Sequence, residues 1–200
     1  MRYTGPVCRL CRREGEKLFL KGDKCTSQKC PLLKKNYAPG HTGGKSKFGK
    51  QSEYGRQLRN KQKAKRIYGV AEKQFRRYYG MATKQEGITG DNLLKMLEQR
   101  FDNTVYRAGF ADSRVQARQF INHGLVKLNG RKATTASQLI KVGDKITMKN
   151  PEGIDKKKDA SPKWLKADMK TGEAEVTFLP EKDDLEASID SQMIVEFYSK

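Results

Sequence analysis

The sequence predicts an α+β protein in which a cysteine-rich N-terminal segment and basic helices precede a helix pair and a small curled sheet. Three observations lead to this fold class. All four cysteines fall within residues 8–30, apolar residues recur at helical spacing over much of 52–122, and a short alternating pattern surrounds an Asn-Gly pair near residue 130. The change from helical period to alternation marks the change from helices to strands.

Charge is the strongest compositional signal. The 200-residue chain has 42 Lys+Arg against 23 Asp+Glu, a formal net charge of +19, and only 36% hydrophobic residues. Residues 1–80 hold 22 basic and 5 acidic side chains, whereas residues 151–200 hold 8 and 12. Charge kept only for solubility would mix both signs throughout, and an anionic membrane surface would require an amphipathic helix with an apolar face. The pattern therefore favours a nucleic acid as partner, and we expect neither a signal peptide nor a membrane-spanning helix.

The cysteines form two close pairs, Cys8-x2-Cys11 and Cys25-x4-Cys30, separated by 13 residues. Two such pairs joined by a short spacer are typical of a structural four-thiolate zinc site, since four protein ligands leave no open position for a substrate. Two disulfides, an iron–sulfur cluster and four free thiols are the alternatives. Cys30 is the weakest candidate ligand because its pair is the wider one, and His41 is the residue that could replace it.

Residues 34–50 read KKNYAPGHTGGKSKFGK, a Gly- and Lys-rich loop without apolar period. The run Gly40-x-x-x-Gly44-Lys45-Ser46 is one residue short of a nucleotide-binding phosphate loop and follows no buried strand. We expect instead an extended arm that lies along nucleic-acid phosphates through Lys45, Lys47 and Lys50.

Two basic helices follow. Ser52 is a candidate N-cap for a helix running to Tyr68, in which four cations share one face at spacings of three, four and three: Arg56, Arg59, Lys63 and Arg66. Like charges at this spacing destabilise an isolated helix, so the face is expected to oppose an anion. In the next helix, AEKQFRRYYGMA, the aromatic residues are expected to pack and Arg76 and Arg77 to project.

From Gly90 onward an apolar core becomes readable. Leu and aromatic residues repeat at helical spacing through DNLLKMLEQRFDNTVYRAGF, and Ser113-x-x-Gln116 is a capping box for a helix ending near Gly124. Arg114 and Arg118 lie one turn apart, and we expect both to face outward. Asn129-Gly130 predicts a hairpin, and VGDKITM a further strand. Lys127 and Arg131, in the hairpin strands, complete the set of candidate nucleic-acid contacts.

The segment FDNTVYRAGFADSRVQARQFINHGLVKLNGRKA resembles the helix–loop RNA-binding module named after the fourth protein of the small ribosomal subunit. The opening MRYTGPVCRLCRREGEKLFLKG, the block EYGRQLRNKQKAKRIYGVAEKQFRRYY and the ending MIVEFYSK resemble that bacterial ribosomal protein family itself. The cysteines resemble its four-cysteine, zinc-type branch. By this resemblance the chain divides into a zinc knuckle (1–35), a basic loop (36–51), a helical rRNA-binding part (52–98), an inserted RNA-binding module (99–160) and a C-terminal segment packing on the helical part (161–200).

The resemblance also implies a function. Members bind the 5′ domain of small-subunit (16S) rRNA early in assembly, nucleate the body of the particle, line the mRNA entry channel and contact the fifth small-subunit protein at an interface affecting decoding accuracy. The candidate entry-channel residues are Lys45 together with Lys47 or Lys50. The candidate rRNA contacts also include Arg56, Arg59, Lys63, Arg66, Arg76, Arg77, Arg114, Arg118, Lys127 and Arg131. A cytoplasmic location in the small subunit follows from the same resemblance.

Two other classes of protein deserve comparison. An RNA-modifying or stress-related RNA-binding protein could share the module, but a modifying enzyme needs a further catalytic domain, and no catalytic constellation is readable around His41 or His123. A zinc-dependent DNA-binding regulator would need a recognition helix and dimer signals, and no heptads occur. We therefore expect no enzymatic activity and no small-molecule substrate.

Overall fold

The computed structural model describes residues 3–40, 52–149 and 161–199. The chain divides into two units. Unit 1 contains Met1–Gly90 together with Ser188–Lys200, and unit 2 contains Asp91–Ala187. The mixed helix and strand architecture confirms the predicted α+β class. Within the described ranges, none of the helices combines the length and apolar character needed to cross a membrane.

Unit 1 is helical. Three short helices lie in the N-terminal segment: α1 (Cys8–Glu14), α2 (Asp23–Thr26) and α3 (Pro31–Lys34). Two longer ones follow, α4 (Glu53–Ile67) and α5 (Glu72–Ala82), and α9 (Ser191–Tyr198) returns from the C-terminal end. Ser52 caps α4 as predicted, since its hydroxyl accepts the amide of Gly55 at 3.1 Å.

The C-terminal helix is held against α4 by polar contacts and against α5 by an aromatic contact. Gln57 donates to Glu196 at 3.0 Å, and Asn60 donates to the carbonyl of Asp190. The ring of Tyr198 stacks on Tyr79 with centroids 4.5 Å apart. This docking places both ends of the chain in one unit.

Unit 2 combines three helices with a sheet. The helices are α6 (Thr89–Glu98), which begins just before the unit boundary, α7 (Phe101–Arg107) and α8 (Arg114–Asn122). The strands are β1 (Val126–Leu128), β2 (Arg131–Lys132), β3 (Lys145–Met148), β4 (Leu165–Asp168) and β5 (Glu173–Val176). They form an antiparallel sheet in the order β2-β1-β3-β5-β4.

One face of this sheet and helices α7 and α8 enclose the core of unit 2. Its largest fully buried side chains include Phe101, Phe110, Ile121, Ile146 and Trp164. The predicted Asn-Gly hairpin is present: Asn129 and Gly130 have φ of 50° and 76°. Positive φ at both positions matches the twist of the flanking strands, and Asn and Gly tolerate it best. The helical period of residues 91–110 is divided between two helices, because Arg100 has extended backbone with ψ of 137°.

The two units differ from the predicted segments at two places. Residues 161–200 were assigned to a segment packing on the helical part, but β4 and β5 belong to the sheet of unit 2, and the return to unit 1 begins at Ser188. Leu165, Ala174 and Val176 enter the core of unit 2, which explains why these strands stay there. The division between the two units falls at residue 91, within α6, and does not coincide with the predicted boundary between residues 98 and 99.

Candidate nucleic-acid interface

The shared basic face of α4 lies against acidic residues of the N-terminal segment. Arg59 and Arg66 both donate to the carboxylate of Glu14, Arg59 at 3.4 Å. Lys63 pairs with Glu16 at 2.5 Å. Three of the four predicted cations are therefore engaged within the protein. They hold the N-terminal segment on α4.

Glu14 is the centre of this contact, with a side chain that is 3% exposed. Burial raises the pKa of its carboxyl, and the charges of Arg66 and Arg59 oppose the shift. Burial likewise lowers the pKa of the Arg66 guanidinium, and Glu14 opposes it. The fourth cation, Arg56, differs from the other three. It lies exposed at the start of α4 and pairs with Glu53 at 2.8 Å.

Helix α5 shows the arrangement that its sequence predicts. Phe75 and Tyr78 are buried, whereas Arg76 and Arg77 are exposed. Its first residue, Glu72, accepts hydrogen bonds from Lys61 and Lys65, both at 2.8 Å, and from the Tyr198 hydroxyl at 3.0 Å. Burial alone would raise the pKa of Glu72, but these three bonds lower it to about 2.

The four cysteines are unpaired thiols in the structure, and Cys11, Cys25 and Cys30 are buried. The amide of Lys21 donates to the Cys25 sulfur at 3.3 Å. Burial raises the pKa of Cys11, a hydrogen bond from Leu18 lowers it, and the other three thiols raise it further. Among the described residues, no group of three or more His, Cys, Asp or Glu side chains has the arrangement of a metal site. Three of the four sulfurs thus lie buried in the N-terminal segment, and a backbone amide donates to one of them.

In unit 2 the arginines of the helix pair surround carboxylates. The side chain of Glu98 is fully buried, accepting from Arg107 at 2.8 and 3.0 Å and from Asn103 at 2.6 Å. Arg114 donates to Asn103 at 2.7 Å and to Glu186 at 3.3 Å, and lies 4.7 Å from the centre of the Tyr106 ring.

The expectation that Arg114 faces outward is wrong. Its side chain is 9% exposed because it fills the space between Asn103 and Glu186. Arg118 is more accessible, at 31%, and donates to Asp102 at 3.1 Å. The Ser113 cap is confirmed by a bond from the Gln116 amide at 3.3 Å, but the Gln116 side chain accepts from Asp112 instead of Ser113.

The sheet places the remaining candidates near the hairpin. Lys127 of β1 is half-buried and pairs in register with Lys132, whereas Arg131 of β2 is exposed. Lys45, Lys47 and Lys50, together with His41, lie outside the described residues.

Comparison with known proteins shows which protein family the chain resembles. A model described as the ribosomal protein S4/S9 N-terminal domain matches residues 2–98, and one described as the S4 domain matches residues 99–146. Proteins named small ribosomal subunit protein uS4 are similar over 208 aligned residues, 100% of this chain and 99% of each relative. Those of Natranaerobius thermophilus and Acetivibrio thermocellus are 50% identical, and that of Caldicellulosiruptor saccharolyticus is 51% identical. The chain belongs to the uS4 family.

The family resemblance was readable from sequence, but the internal partners of the cations were not. Glu14, Glu98, Asp102 and Glu186 each neutralise an arginine, and none was a candidate. Arg107 was missed as well. No local signal marks these residues, because an acidic residue in a basic sequence has the same appearance whether it is solvated or buried.

Proposed function

We propose that this member of the uS4 family is a structural constituent of the small ribosomal subunit that binds the 5′ domain of 16S rRNA early in assembly and nucleates the body of the particle. The observation that carries the proposal is the full-length similarity to small-subunit uS4 proteins in a chain of net charge +19. We propose no catalytic role.

The mechanism we infer is recognition of RNA shape by cations on a rigid support. Folded RNA presents clustered phosphates and 2′-hydroxyls, while its deep major groove is closed to side chains. Arg76, Arg77 and Arg131 are exposed on ordered elements, and Arg118 and Lys127 are partly exposed. Cations that pair with groups of the protein itself, such as Arg66 and Arg114, instead stabilise the elements on which the exposed cations lie. Preorganised cations select one arrangement of backbones over others because little side-chain entropy is lost on binding.

Footprinting tests this proposal directly. Hydroxyl-radical probing of 16S rRNA with the purified protein is expected to show protection confined to the 5′ domain. The observed affinity should fall with salt on a log–log slope steeper than about −4, because each neutralised phosphate releases counterions. Protection spread over other domains, or equal affinity for duplex DNA and unstructured RNA, would argue against a specific rRNA role.

We also propose that Cys8, Cys11, Cys25 and Cys30 hold one structural Zn²⁺. The four-sulfur donor set and the amide bonded to Cys25 support this. Bound zinc would stabilise the fold of the N-terminal segment. Chelation is expected to increase hydrogen exchange in residues 3–35 while Trp164 fluorescence stays unchanged, because the core of unit 2 contains no cysteine. Stoichiometric zinc by elemental analysis should accompany the native state. A metal-free protein with full protection of α1 would refute the assignment.

Two further roles rest on the family resemblance. The Lys-rich loop of residues 36–51, with Lys45, Lys47 and Lys50, would line the mRNA entry channel, and the protein would contact the fifth small-subunit protein. The positive charge of the loop supports the first role. Crosslinking from each of these lysines in reconstituted subunits is expected to capture mRNA downstream of the decoding site. Crosslinks exclusively to rRNA would remove the mRNA role.

A further inference from the structure

A recess of about 560 Å³ lies beside the β1–β2 hairpin in unit 2. Its polar lining comes from the hairpin and the segment after it: Asn129, Arg131, Lys132, Thr134, Thr135 and Gln138. All six of these residues are exposed. This volume lies within the range that ligand sites in proteins occupy, and the recess is large enough for one nucleotide.

The backbone on both sides of the recess is fixed. The Asn129 side chain donates to Asp144 and accepts from the Lys145 amide, both at 2.8 Å, which ties the hairpin turn to β3. The carbonyl of Gln138 accepts from the amide of Phe101 at 2.8 Å, which ties the other side to α7. The Lys132 side chain lies next to Gly124, where a larger residue would collide with it. The recess is therefore preorganised, and a ligand would enter it without ordering a loop first.

The chemistry of the lining points to an anion with hydrogen-bonding groups. It offers two cations, two hydroxyls and two primary amides, and none of the described residues that line it is acidic. The Asn129 amide is already bonded to Asp144 and Lys145, so the Gln138 amide is the one considered for a ligand. A second recess, of about 340 Å³ on the same unit, provides a contrast. It is lined by Lys145 and Lys166 but also by Asp168, Glu173 and Glu175, which would repel a phosphate.

We propose that the recess beside the hairpin binds a single unpaired nucleotide of the RNA. Arg131 and Lys132 would hold its phosphate, and the Gln138 amide would contact the edge of its base. A primary amide donates through its nitrogen and accepts through its oxygen, so it can form two bonds to one base edge. Lys and Arg only donate, and a hydroxyl donates and accepts through a single oxygen. Proteins read RNA sequence mainly at unpaired nucleotides, since the edges of paired bases are inaccessible in the A-form major groove. This inference rests on the proposed rRNA binding and adds a point of base recognition to it.

The test uses the full-length protein, a transcript of the 16S rRNA 5′ domain and four variants. Gln138→Leu keeps the side-chain size and is expected to weaken binding about 5- to 20-fold without changing the salt slope. Arg131→Gln should weaken binding and make that slope less steep by about one. Thr134→Phe, which fills the recess, should weaken binding at least as much as Gln138→Leu. Lys166→Gln, at the second recess, is the matched control and should bind as the unmodified protein does.

Chemical probing supplies the decisive readout. We expect one unpaired nucleotide to be protected from base-edge methylation by the unmodified protein and exposed again with Gln138→Leu. Unchanged Trp164 fluorescence would show that each variant is folded. If Gln138→Leu and Thr134→Phe bind normally while Arg131→Gln does not, the recess is not entered and the proposal is wrong, although rRNA binding stands. If the unmodified protein does not bind the transcript, the proposed function fails and this inference fails with it.

Discussion

Helices α4 and α5 of unit 1 both carry several cations, and the two helices use them differently. Arg59, Lys63 and Arg66 of α4 are paired with Glu14 and Glu16, whereas Arg76 and Arg77 of α5 remain exposed. The charge pattern of a helix is therefore not sufficient to identify an RNA-binding face. The cations of the two helices differ because of where acidic residues that are distant in sequence lie in the fold.

Unit 2 repeats this division of roles. Arg107 and Arg114 surround Glu98, Asn103 and Glu186, while Arg131 is exposed on the hairpin. Internal cations should affect stability when their partners are removed, and exposed cations should affect RNA affinity. The following variants test this distinction, in order of decreasing effect on the free energy of unfolding.

Glu98→Ala should have the largest effect, a loss of about 3–5 kcal/mol, because it leaves the Arg107 charge and the Asn103 amide without their buried acceptor. Urea unfolding followed by the fluorescence of Trp164, the single tryptophan, measures it. The control is Glu173→Ala, an exposed carboxylate on β5, which should change stability by less than about 0.5 kcal/mol. Equal effects of the two substitutions would show that the buried network contributes no more to the free energy of unfolding than an exposed carboxylate does.

Glu14→Ala should destabilise the contact between the N-terminal segment and α4 by about 2–3 kcal/mol. The estimate lies below that for Glu98, because removal of Glu98 also leaves the buried Asn103 amide without that acceptor, whereas Glu14 bonds only the partly exposed Arg59 and Arg66. Hydrogen exchange of the α1 and α4 amides reports the change. Glu16→Ala is the matched control. Glu16 is 54% exposed, so its loss should cost less than about 1 kcal/mol. The interpretation of this face as internal would be wrong if Glu14→Ala left α1 protected.

The Glu72 network should produce an acid-dependent loss of stability. The pKa of Glu72 is lowered to about 2, against about 4.3 in an unfolded chain. Its contribution is therefore complete above about pH 4.3 and is lost as the pH falls towards 2. The side chain is 45% exposed, which limits the contribution to about 1–2 kcal/mol.

Glu72→Gln should flatten the acid limb of the stability profile between pH 4.5 and 2. Tyr198→Phe, which removes one of the three hydrogen bonds, should move that limb towards higher pH. Thermal unfolding as a function of pH measures both effects. A profile for Glu72→Gln parallel to that of the unmodified protein would contradict the assigned pKa.

Local features of the fold were predictable from sequence, and long-range ones were not. The Ser52 and Ser113 caps and the Asn129-Gly130 turn depend on neighbouring residues alone. Strands β4 and β5 were missed because LKAD and EAEV each supply only two apolar residues. They are strands because β5 pairs with β3 and β4 pairs with β5. The ion pairs of Glu14 join residues 45 and 52 positions apart, so helical spacing carries no information about them.

The exposed arginines of α5 provide the test in which stability should hardly change. Arg76→Ala combined with Arg77→Ala removes no partner of a buried carboxylate, so the free energy of unfolding should stay within about 0.5 kcal/mol. Affinity for the 16S rRNA 5′ domain should fall about tenfold, and the salt slope should become less steep by one to two. Filter binding over a salt series measures both quantities. The matched variant Arg59→Ala should show the reverse, lower stability with a nearly unchanged slope, because Arg59 pairs with Glu14. An equal change of the salt slope in both variants would indicate that RNA displaces Glu14 from α4. The distinction between internal and exposed cations would then apply only to the free protein.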